Sequence, residues 1–347
     1  MKNASFFLWF SLPVFLIFSA CSCSTGEGIQ KILGTSAEAP VFIDCRPVSS
    51  TEITFTFSAP VKVVCLNFDP LLEAGTITEE GREITVSFAG PLEEGQKITA
   101  DILVEDSDKN TLNVIVPFRA RNNHMPALVF NELRTEYSKP KVEFVEFLAR
   151  GPGNLGAMRL FMAGYSLSRP VYEFSPAEVA AGEYIVLHLR NIEPGCADET
   201  GRDLALSEGT EAPKDARDIW IPGGAKLIHR TDALWLMDQD DRIIDAVLLS
   251  ETSADEWSTK DKDIAAAAEF LGRKGAWLKP GESSPSPGGG AAFTPVPADA
   301  VSTAGTTLTR TICRDESIPP LPGAGNWYIT ATSNATPGKP NSTKRYP

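Results

Sequence analysis

Histidine, cysteine and clustered acids are the residues through which this chain could carry out chemistry. The sequence has 3 histidines, His124, His188 and His229, and none of them lies in an H-E-x-x-H zinc motif. C-x-x-C pairs, G-x-S-x-G elbows and phosphate-binding glycine loops are also missing from the sequence. The sequence therefore predicts no catalytic residue, no metal ligand and no cofactor, and we expect the protein not to be an enzyme.

Two acidic clusters leave alternatives open. Glu132, Glu143 and Glu146 could pair their carboxyl groups for general acid–base catalysis, or they could accept structural hydrogen bonds. The three aspartates within 238–241 could bind calcium, or they could form a solvated hairpin turn. A complete calcium loop needs about six to eight oxygens, so we favour the turn.

Cysteines indicate where the chain resides. Cys21 and Cys23 lie near the start of the sequence, and the later ones form an even set: Cys45, Cys65, Cys196 and Cys313. In an exported protein such a set permits disulfides. We expect Cys45 to pair with Cys65 and Cys196 with Cys313; four free thiols are the alternative.

The first residues read as an export signal. Lys2 precedes an apolar run that Ser11 and Pro13 interrupt, and the run is shorter than the roughly 20 residues of a membrane-spanning helix. Residues 18–21, Phe-Ser-Ala-Cys, resemble the bacterial lipobox. The resemblance implies a signal peptide at 1–20, acylation of Cys21 with chains such as palmitate, and a tether at 21–38. An ordinary cleaved signal followed by a cysteine is the alternative.

Net charge and chain length indicate which partners the protein disfavours and how many domains it has. The net charge is −13 for 347 residues, and removal of the signal takes away one further lysine. Such acidity disfavours nucleic acid as a partner, because nucleic-acid binding requires a basic surface. More than three hundred residues with 42% hydrophobic content predict two packed domains.

Hydrophobic residues alternate with polar ones in the first half of the chain. The alternation is clearest at 53–57, 84–88, 98–104 and 112–118, and turn residues separate these segments. A period of two indicates half-buried strands, and several short strands without a helix predict a β-sandwich. Residues 49–61 and 95–99 resemble strands of bacterial Ig-like domains, and this resemblance covers 39–120. The polar residues 121–126 then form a predicted linker.

The second half carries an ordered series of short motifs. They are Val-Phe-Asn-Glu-Leu at 129–133, Glu-Phe-Val-Glu-Phe at 143–147, Gly-Tyr at 164–165, Ala-Gly-Glu-Tyr-Ile-Val-Leu at 181–187, Ile-Ile-Asp at 243–245, Trp327, and Thr-Pro-Gly-Lys-Pro-Asn at 336–341. In this order the series resembles the lamin-tail domain, an Ig-like β-sandwich, over 127–343. The resemblance implies structural hydrogen bonding to loop backbone for Glu132, Glu143 and Glu146. The chain departs from the pattern at Gly164-Tyr165, where Gly-Trp is usual, and at 240–242, where a turn glycine is usual.

Two insertions in this region are longer than ordinary loops. We expect residues 190–230 to form an irregular loop, and 251–300 to contain a short helix at 261–274 followed by a flexible or extended segment at 280–297. The insertions carry Trp220, Trp257 and Trp277. Exposed aromatic residues dominate many interfaces, so we expect these three side chains to contact a partner. Local packing within the loops is the alternative.

The combined expectation is an all-β protein with two Ig-like β-sandwich domains in tandem. Function follows only as a hypothesis, because such sandwiches serve many unrelated roles. We expect a non-catalytic bacterial cell-envelope lipoprotein that acts in binding, adhesion or scaffolding and has a protein or glycan partner. Its lipid would hold it in the cell membrane or outer membrane, so that the protein lies in the periplasm or at the surface. The alternative is an accessory or catalytic component of an extracellular hydrolase or nuclease system.

Overall fold

The computed structural model of the protein describes residues 38–282 and 293–347. The expected signal peptide, Cys21 and residues 22–37 of the tether lie outside the described residues, as does 283–292 of the second insertion.

Strands dominate the described residues, and the α-helix is α1 (Lys262–Arg273). The strands are β1 (Phe42–Ser49), β2 (Glu52–Asp69), β3 (Ala74–Ile77), β4 (Glu80–Phe88), β5 (Lys97–Glu105), β6 (Thr111–Arg119), β7 (Leu128–Arg134), β8 (Phe144–Ala149), β9 (Gly153–Asn154), β10 (Arg159–Met162), β11 (Tyr172–Glu173), β12 (Glu178–Val179), β13 (Tyr184–Asn191), β14 (Arg217–Pro222), β15 (Asp232–Met237), β16 (Ile243–Ser250), β17 (Val301–Ser302), β18 (Ile312–Arg314) and β19 (Trp327–Ile329). The predicted all-β fold with a short helix is confirmed.

The long strand β2 organises the first region. Its N-terminal half pairs antiparallel with β1 and β4, and its C-terminal half pairs with β5. Strand β3 extends the sheet beyond β4, and β6 extends it beyond β5. Strands β1 and β6 contact each other, so the sheet curls over its own apolar face.

The predicted alternation of that sheet is confirmed. Alternate residues along β2, β4 and β5 are buried with at most 8% exposure: Ile53, Phe55, Phe57, Ile84, Val86, Phe88, Ile98, Ala100, Ile102 and Val104. The intervening side chains face outward because successive residues of a strand point to opposite faces. The first region thus has an apolar core of its own.

Two sheets face each other in the second region. One has the order β14-β13-β8-β7-β18-β19, and the other has the order β11-β10-β15-β16-β17. Their inner faces share one apolar cluster, with Phe130, Phe147, Leu187 and Trp235 among its members. Such a pair of packed sheets is a β-sandwich.

The first insertion departs from the expected irregular loop. It contains β14, which pairs in parallel with β13 from Ile185↔Arg217 to His188↔Trp220. The register is held by side chains of the loop itself: Glu199 Oε2 accepts from the Asp218 amide at 2.8 Å, and Asp198 Oδ1 accepts from the Trp220 amide at 2.8 Å. The insertion therefore widens the sheet by one strand.

Helix α1 confirms the expected helix in the second insertion. Ile264, Ala267, Ala268 and Leu271 recur at the spacing of one helical face and are buried against the sandwich core. A Cβ atom on Gly272 would lie 2.0 Å from the Phe293 carbonyl oxygen, so the chain after the undescribed residues packs directly on the helix. In the described part of the chain, no helix combines the length and apolarity that a membrane crossing requires.

Candidate functional site

Two of the three tryptophans predicted to contact a partner are packing residues. Trp277 is fully buried, and its indole nitrogen donates to the Asp299 carbonyl at 3.0 Å. Trp220 is 5% exposed, donates to Ser207 Oγ at 2.9 Å and stacks on His188 with ring centroids 3.7 Å apart. Partner contact was therefore a wrong prediction for Trp220 and Trp277, because both insertions fold back onto the sandwich and bury them.

Trp257 is half-buried and lies in the wall of an open cleft. Its indole nitrogen donates to the Pro295 carbonyl at 2.8 Å, and the ring packs against the sandwich core. The cleft has a volume of about 840 Å³ and lies between residues 250–264 and residues 226–231, with Glu136, Gly164 and Pro297 completing its lining. We name it the Trp257 cleft. Volumes of about 300–1,000 Å³ are usual for small-ligand sites.

Charged groups of both signs line the Trp257 cleft. Arg230 forms ion pairs with Glu136 and with Glu251, the latter at 3.3 Å. Lys226, Glu256 and Asp261 add further charges, and Thr231, Ser250, Thr252 and Ser258 add hydroxyl groups. Burial, and then the nearby Lys226, lower the pKa of His229, which favours a neutral imidazole at the cleft.

A buried carboxyl group lies directly behind the cleft. Asp232 is fully buried and accepts from the backbone amides of Gly164, Ala233 and His229 at 2.9, 2.8 and 3.1 Å. Burial raises the pKa of Asp232 to about 7, although the three amide donors oppose the shift. These bonds fix the two loops that carry Gly164 and His229 into the cleft lining.

The carboxyl groups of Glu132 and Glu146 bind the C-terminal segment 336–341. Glu132 accepts from the amide and hydroxyl of Thr336 at 3.1 Å, and Glu146 accepts from the Gly338 amide at 2.5 Å. Burial raises the pKa of both Glu132 and Glu146. The backbone-bonding role expected for these two residues agrees with the geometry, and the acid–base alternative would require them to release the segment.

Glu143 has a different partner from the other two glutamates. Its two oxygens accept from Arg190 Nε at 2.6 Å and Nη2 at 2.7 Å, a bidentate ion pair. Both side chains are at most 10% exposed. Glu143 therefore holds β13 rather than loop backbone, which corrects the expectation for this residue.

The aspartates of 238–241 form a hairpin turn. Asp238 Oδ1 accepts from the amides of Asp240 and Arg242 at 2.8 and 2.9 Å. Asp240 pairs with Arg121, and Asp241 adopts a φ of 60°. Aspartate is one of the few residues that tolerates this left-handed conformation. Since their carboxylates are occupied in this way, the turn explains the cluster without calcium.

His188 and Asp218 form a buried histidine–aspartate pair that the sequence did not predict. His188 Nε2 lies 2.6 Å from Asp218 Oδ1, and the two side chains are 1% and 0% exposed. Burial lowers the pKa of His188 to about 3 and raises that of Asp218 to about 9. Both shifts favour the uncharged forms of the imidazole and the carboxyl group at neutral pH. Alternation along β13 places His188 on the face opposite to the core residues Ile185, Leu187 and Leu189. Nothing in the sequence indicated β14, so the burial of the pair could not be predicted.

The predicted disulfides are not formed. Cys45, Cys65, Cys196 and Cys313 are free thiols. Cys45 pairs across the sheet with Phe55, ten residues before Cys65 on the same strand β2. Cys313 lies on β18, separated from β13 by β7 and β8, whereas Cys196 follows β13. A disulfide requires Cα atoms within about 7 Å, so both pairings were wrong and the free-thiol alternative applies.

Comparison with known proteins places the second region in a family. Fold and geometry define the class as an all-β sandwich protein with an inserted helix and an open cleft. Residues 126–329 match the family model described as "TP_1001_2nd: protein second domain", and the chain belongs to this family. It is also 29% identical over 202 residues to an uncharacterized protein of Treponema pallidum (strain Nichols), which covers 55% of this chain and 50% of that relative. The chain thus spans about half the length of the relative.

Proposed function

We propose that this protein is a non-catalytic cell-envelope lipoprotein that binds a glycan in the Trp257 cleft. The observation that carries the proposal is the cleft itself, in which one half-buried indole ring is surrounded by hydroxyl and charged side chains. Sites of this kind combine an apolar wall with a few polar groups that orient the ligand. The cleft is built largely from the second insertion, which accounts for the length of that insertion.

The composition of the cleft favours a glycan over a protein segment. Protein interfaces rely on a cluster of buried aromatic and aliphatic anchors. Apart from Trp257, Ile264 and the proline Pro297, the larger side chains of the lining are polar or charged. A sugar suits such a lining because its C–H face stacks on an aromatic ring while its hydroxyl groups bond to carboxylates and hydroxyls.

The remaining parts of the proposal follow from the resemblances. A lipobox at 18–21 would attach Cys21 to the membrane through acyl chains, and two or more such chains give stable anchoring. The Ig-like domain at 39–120, the linker at 121–126 and the lamin-tail-like domain at 127–343 would then place the cleft away from the membrane surface. In this arrangement the first domain is a spacer.

Glycan binding can be tested on the full chain in detergent. An array of bacterial envelope and host glycans, followed by saturation-transfer NMR on the best glycan, should identify binding to the wild type. Glu256→Gln and Thr252→Ala change exposed side chains of the cleft and should weaken binding about tenfold, corresponding to about 1.4 kcal/mol. Glu83→Gln changes an exposed carboxylate of the first region and is the matched control.

Three outcomes would overturn the glycan assignment. Binding that the two cleft variants leave unchanged would place the glycan elsewhere. Retention of a protein partner that competing sugars do not displace would assign the cleft to protein recognition. Reproducible hydrolysis of a glycan or nucleic acid that a carboxylate substitution abolishes would support the hydrolase or nuclease alternative and contradict a non-catalytic role.

Anchoring is tested separately from binding. Cys21→Ala should move the protein from the detergent-rich to the aqueous phase, because acyl chains would be its anchor once the signal peptide is removed. Ser22→Ala is the matched control and should stay in the detergent-rich phase. A Cys21→Ala protein that still partitions with membrane proteins would refute the lipobox interpretation and leave the glycan proposal untouched.

A further inference from the structure

Three potential metal ligands converge where the first and second regions meet. Glu94 lies in the turn between β4 and β5, His124 lies in the segment between β6 and β7, and Glu178 lies on β12. One ligand atom from each side chain lies within 4.8 Å of the other two. Ligand atoms around a tetrahedral zinc ion are about 3.4 Å apart, given bonds of about 2.0–2.2 Å, so small side-chain movements would close the site.

Each carboxylate is oriented by a hydrogen bond to one of its oxygens. The Asn123 amide donates to Glu94 Oε1 at 3.2 Å, and Asn154 Nδ2 donates to Glu178 Oε1 at 2.7 Å. Glu178 Oε2 instead faces His124 Nδ1 at 3.8 Å. Partners of this kind commonly hold metal-binding side chains in position.

The backbone around these ligands is fixed by buried contacts. Asn122 is 3% exposed, and its side-chain nitrogen donates to the carbonyls of Asn154 and Gly156 at 2.7 and 2.8 Å. Gly95 and Gly156 approach so closely that a Cβ atom on Gly95 would lie 2.4 Å from the Gly156 Cα atom. The ligands are therefore held on a packed junction.

We propose that Glu94, His124 and Glu178 bind one divalent transition-metal ion of the zinc class. Two carboxylates and one imidazole supply oxygen and nitrogen ligands at one point, and a divalent cation neutralises the negative charge of the carboxylates. Zinc takes three protein ligands plus water, whereas calcium requires about six to eight oxygens and disfavours imidazole. The ion joins the first region to the second, a role independent of the Trp257 cleft.

Zinc titration of the chelator-treated full chain tests this proposal. Calorimetry should give one high-affinity site per chain, with calcium binding much more weakly. His124→Ala, Glu94→Gln and Glu178→Gln should each weaken zinc binding at least about tenfold, since even supporting residues of metal sites commonly contribute this much. Zinc should also raise the melting temperature of the wild type and not that of His124→Ala, because a ligand that binds the folded state stabilises it.

Matched controls separate this site from other zinc ligands. Glu93→Gln changes the exposed neighbour of Glu94 and should leave zinc binding unchanged. Cys65→Ser removes an exposed free thiol and should also leave it unchanged. Absence of zinc binding up to millimolar concentration, or binding that survives His124→Ala and is lost in Cys65→Ser, would overturn the proposal. The substituted side chains are partly or fully exposed, so circular dichroism should show the variants folded.

Discussion

The two regions of the molecule are held together by different means. Residues 38–121 bury apolar side chains in a core that alternation along the strands defines. Among the described residues, every buried polar or charged side chain occurs at Asn122 or later in the chain. The second region thus adds to its apolar core a set of buried ion pairs and carboxyl–backbone bonds, such as Arg190–Glu143, Arg217–Glu183 and Arg314–Asp245.

This difference determines how each region tolerates substitution. Apolar burial is non-directional, so a lost methyl group costs its transfer free energy and a small cavity. A buried ion pair is directional, and the loss of one member leaves an uncompensated charge in the interior. We therefore expect the largest losses of stability at buried charges of the second region.

Arg314→Ala should have the largest effect. Arg314 Nε donates to the Phe130 carbonyl at 2.8 Å, and Nη2 donates to Asp245 at 2.6 Å. Its side chain is 4% exposed. Removal should lower the free energy of unfolding by about 3–5 kcal/mol because Asp245 and the carbonyl lose their partner inside the protein. Urea denaturation followed by circular dichroism measures the loss.

An exposed ion pair of the first region supplies the control for Arg314→Ala. Arg46 in the first region pairs with Asp44 at 2.5 Å, but its side chain is 81% exposed. Because solvent screens such a pair, Arg46→Ala should leave the urea midpoint unchanged. Equal destabilisation by the two substitutions would show that burial does not distinguish the two kinds of ion pair.

Stability should also depend on pH through the buried pair His188–Asp218. Folding raises the pKa of Asp218 from 3.8 to about 9, so its stabilising contribution is complete below pH 3.8 and is lost as the pH rises towards 9. Folding lowers the pKa of His188 from 6.5 to about 3, so its contribution is present above pH 6.5 and is lost as the pH falls towards 3.

Asp218→Asn should remove the loss of stability at rising pH, which comes from Asp218, and keep the loss at falling pH, which comes from His188. Melting temperatures measured between about pH 5 and pH 9 should therefore fall less steeply in the variant than in the wild type. Asp101→Asn changes an exposed carboxylate of the first region and should follow the wild-type profile. Parallel profiles for wild type and Asp218→Asn would contradict a protonated Asp218.

The same contrast explains what the sequence could predict about the fold. Alternation placed Ile53, Phe55 and Phe57 in the core because the face of a strand depends only on local periodicity. Strand β14 could not be predicted in that way. Its parallel pairing with β13 spans a long connection, and its position depends on carboxylates of Asp198 and Glu199 about twenty residues earlier.

The candidate site was predictable only in part. The sequence predicted that Trp257 of the second insertion contacts a partner, and the side chain lies in the wall of the cleft. The same reasoning failed for Trp277, because sequence position does not reveal whether a long loop packs onto the domain that carries it. Arg230 and Asp232 were not predicted either, since their roles arise from partners distant in the chain.

The smallest effects are expected for two variants that each lose a single chemical group, a methyl group in the first region and a hydroxyl group in the second. Ile53→Val deletes one methyl group from the first core and should cost about 1 kcal/mol, because no polar partner is left behind. Thr311→Val keeps the shape of a buried side chain in the second region but deletes a hydroxyl that bonds to Thr330 at 3.1 Å and lowers the pKa of Glu132. It should cost about 1–3 kcal/mol, since buried groups lose a hydrogen-bond partner without regaining water. Urea denaturation of the two variants in parallel measures both losses, and a larger loss for Ile53→Val would show that packing, rather than hydrogen bonding, limits stability in both regions.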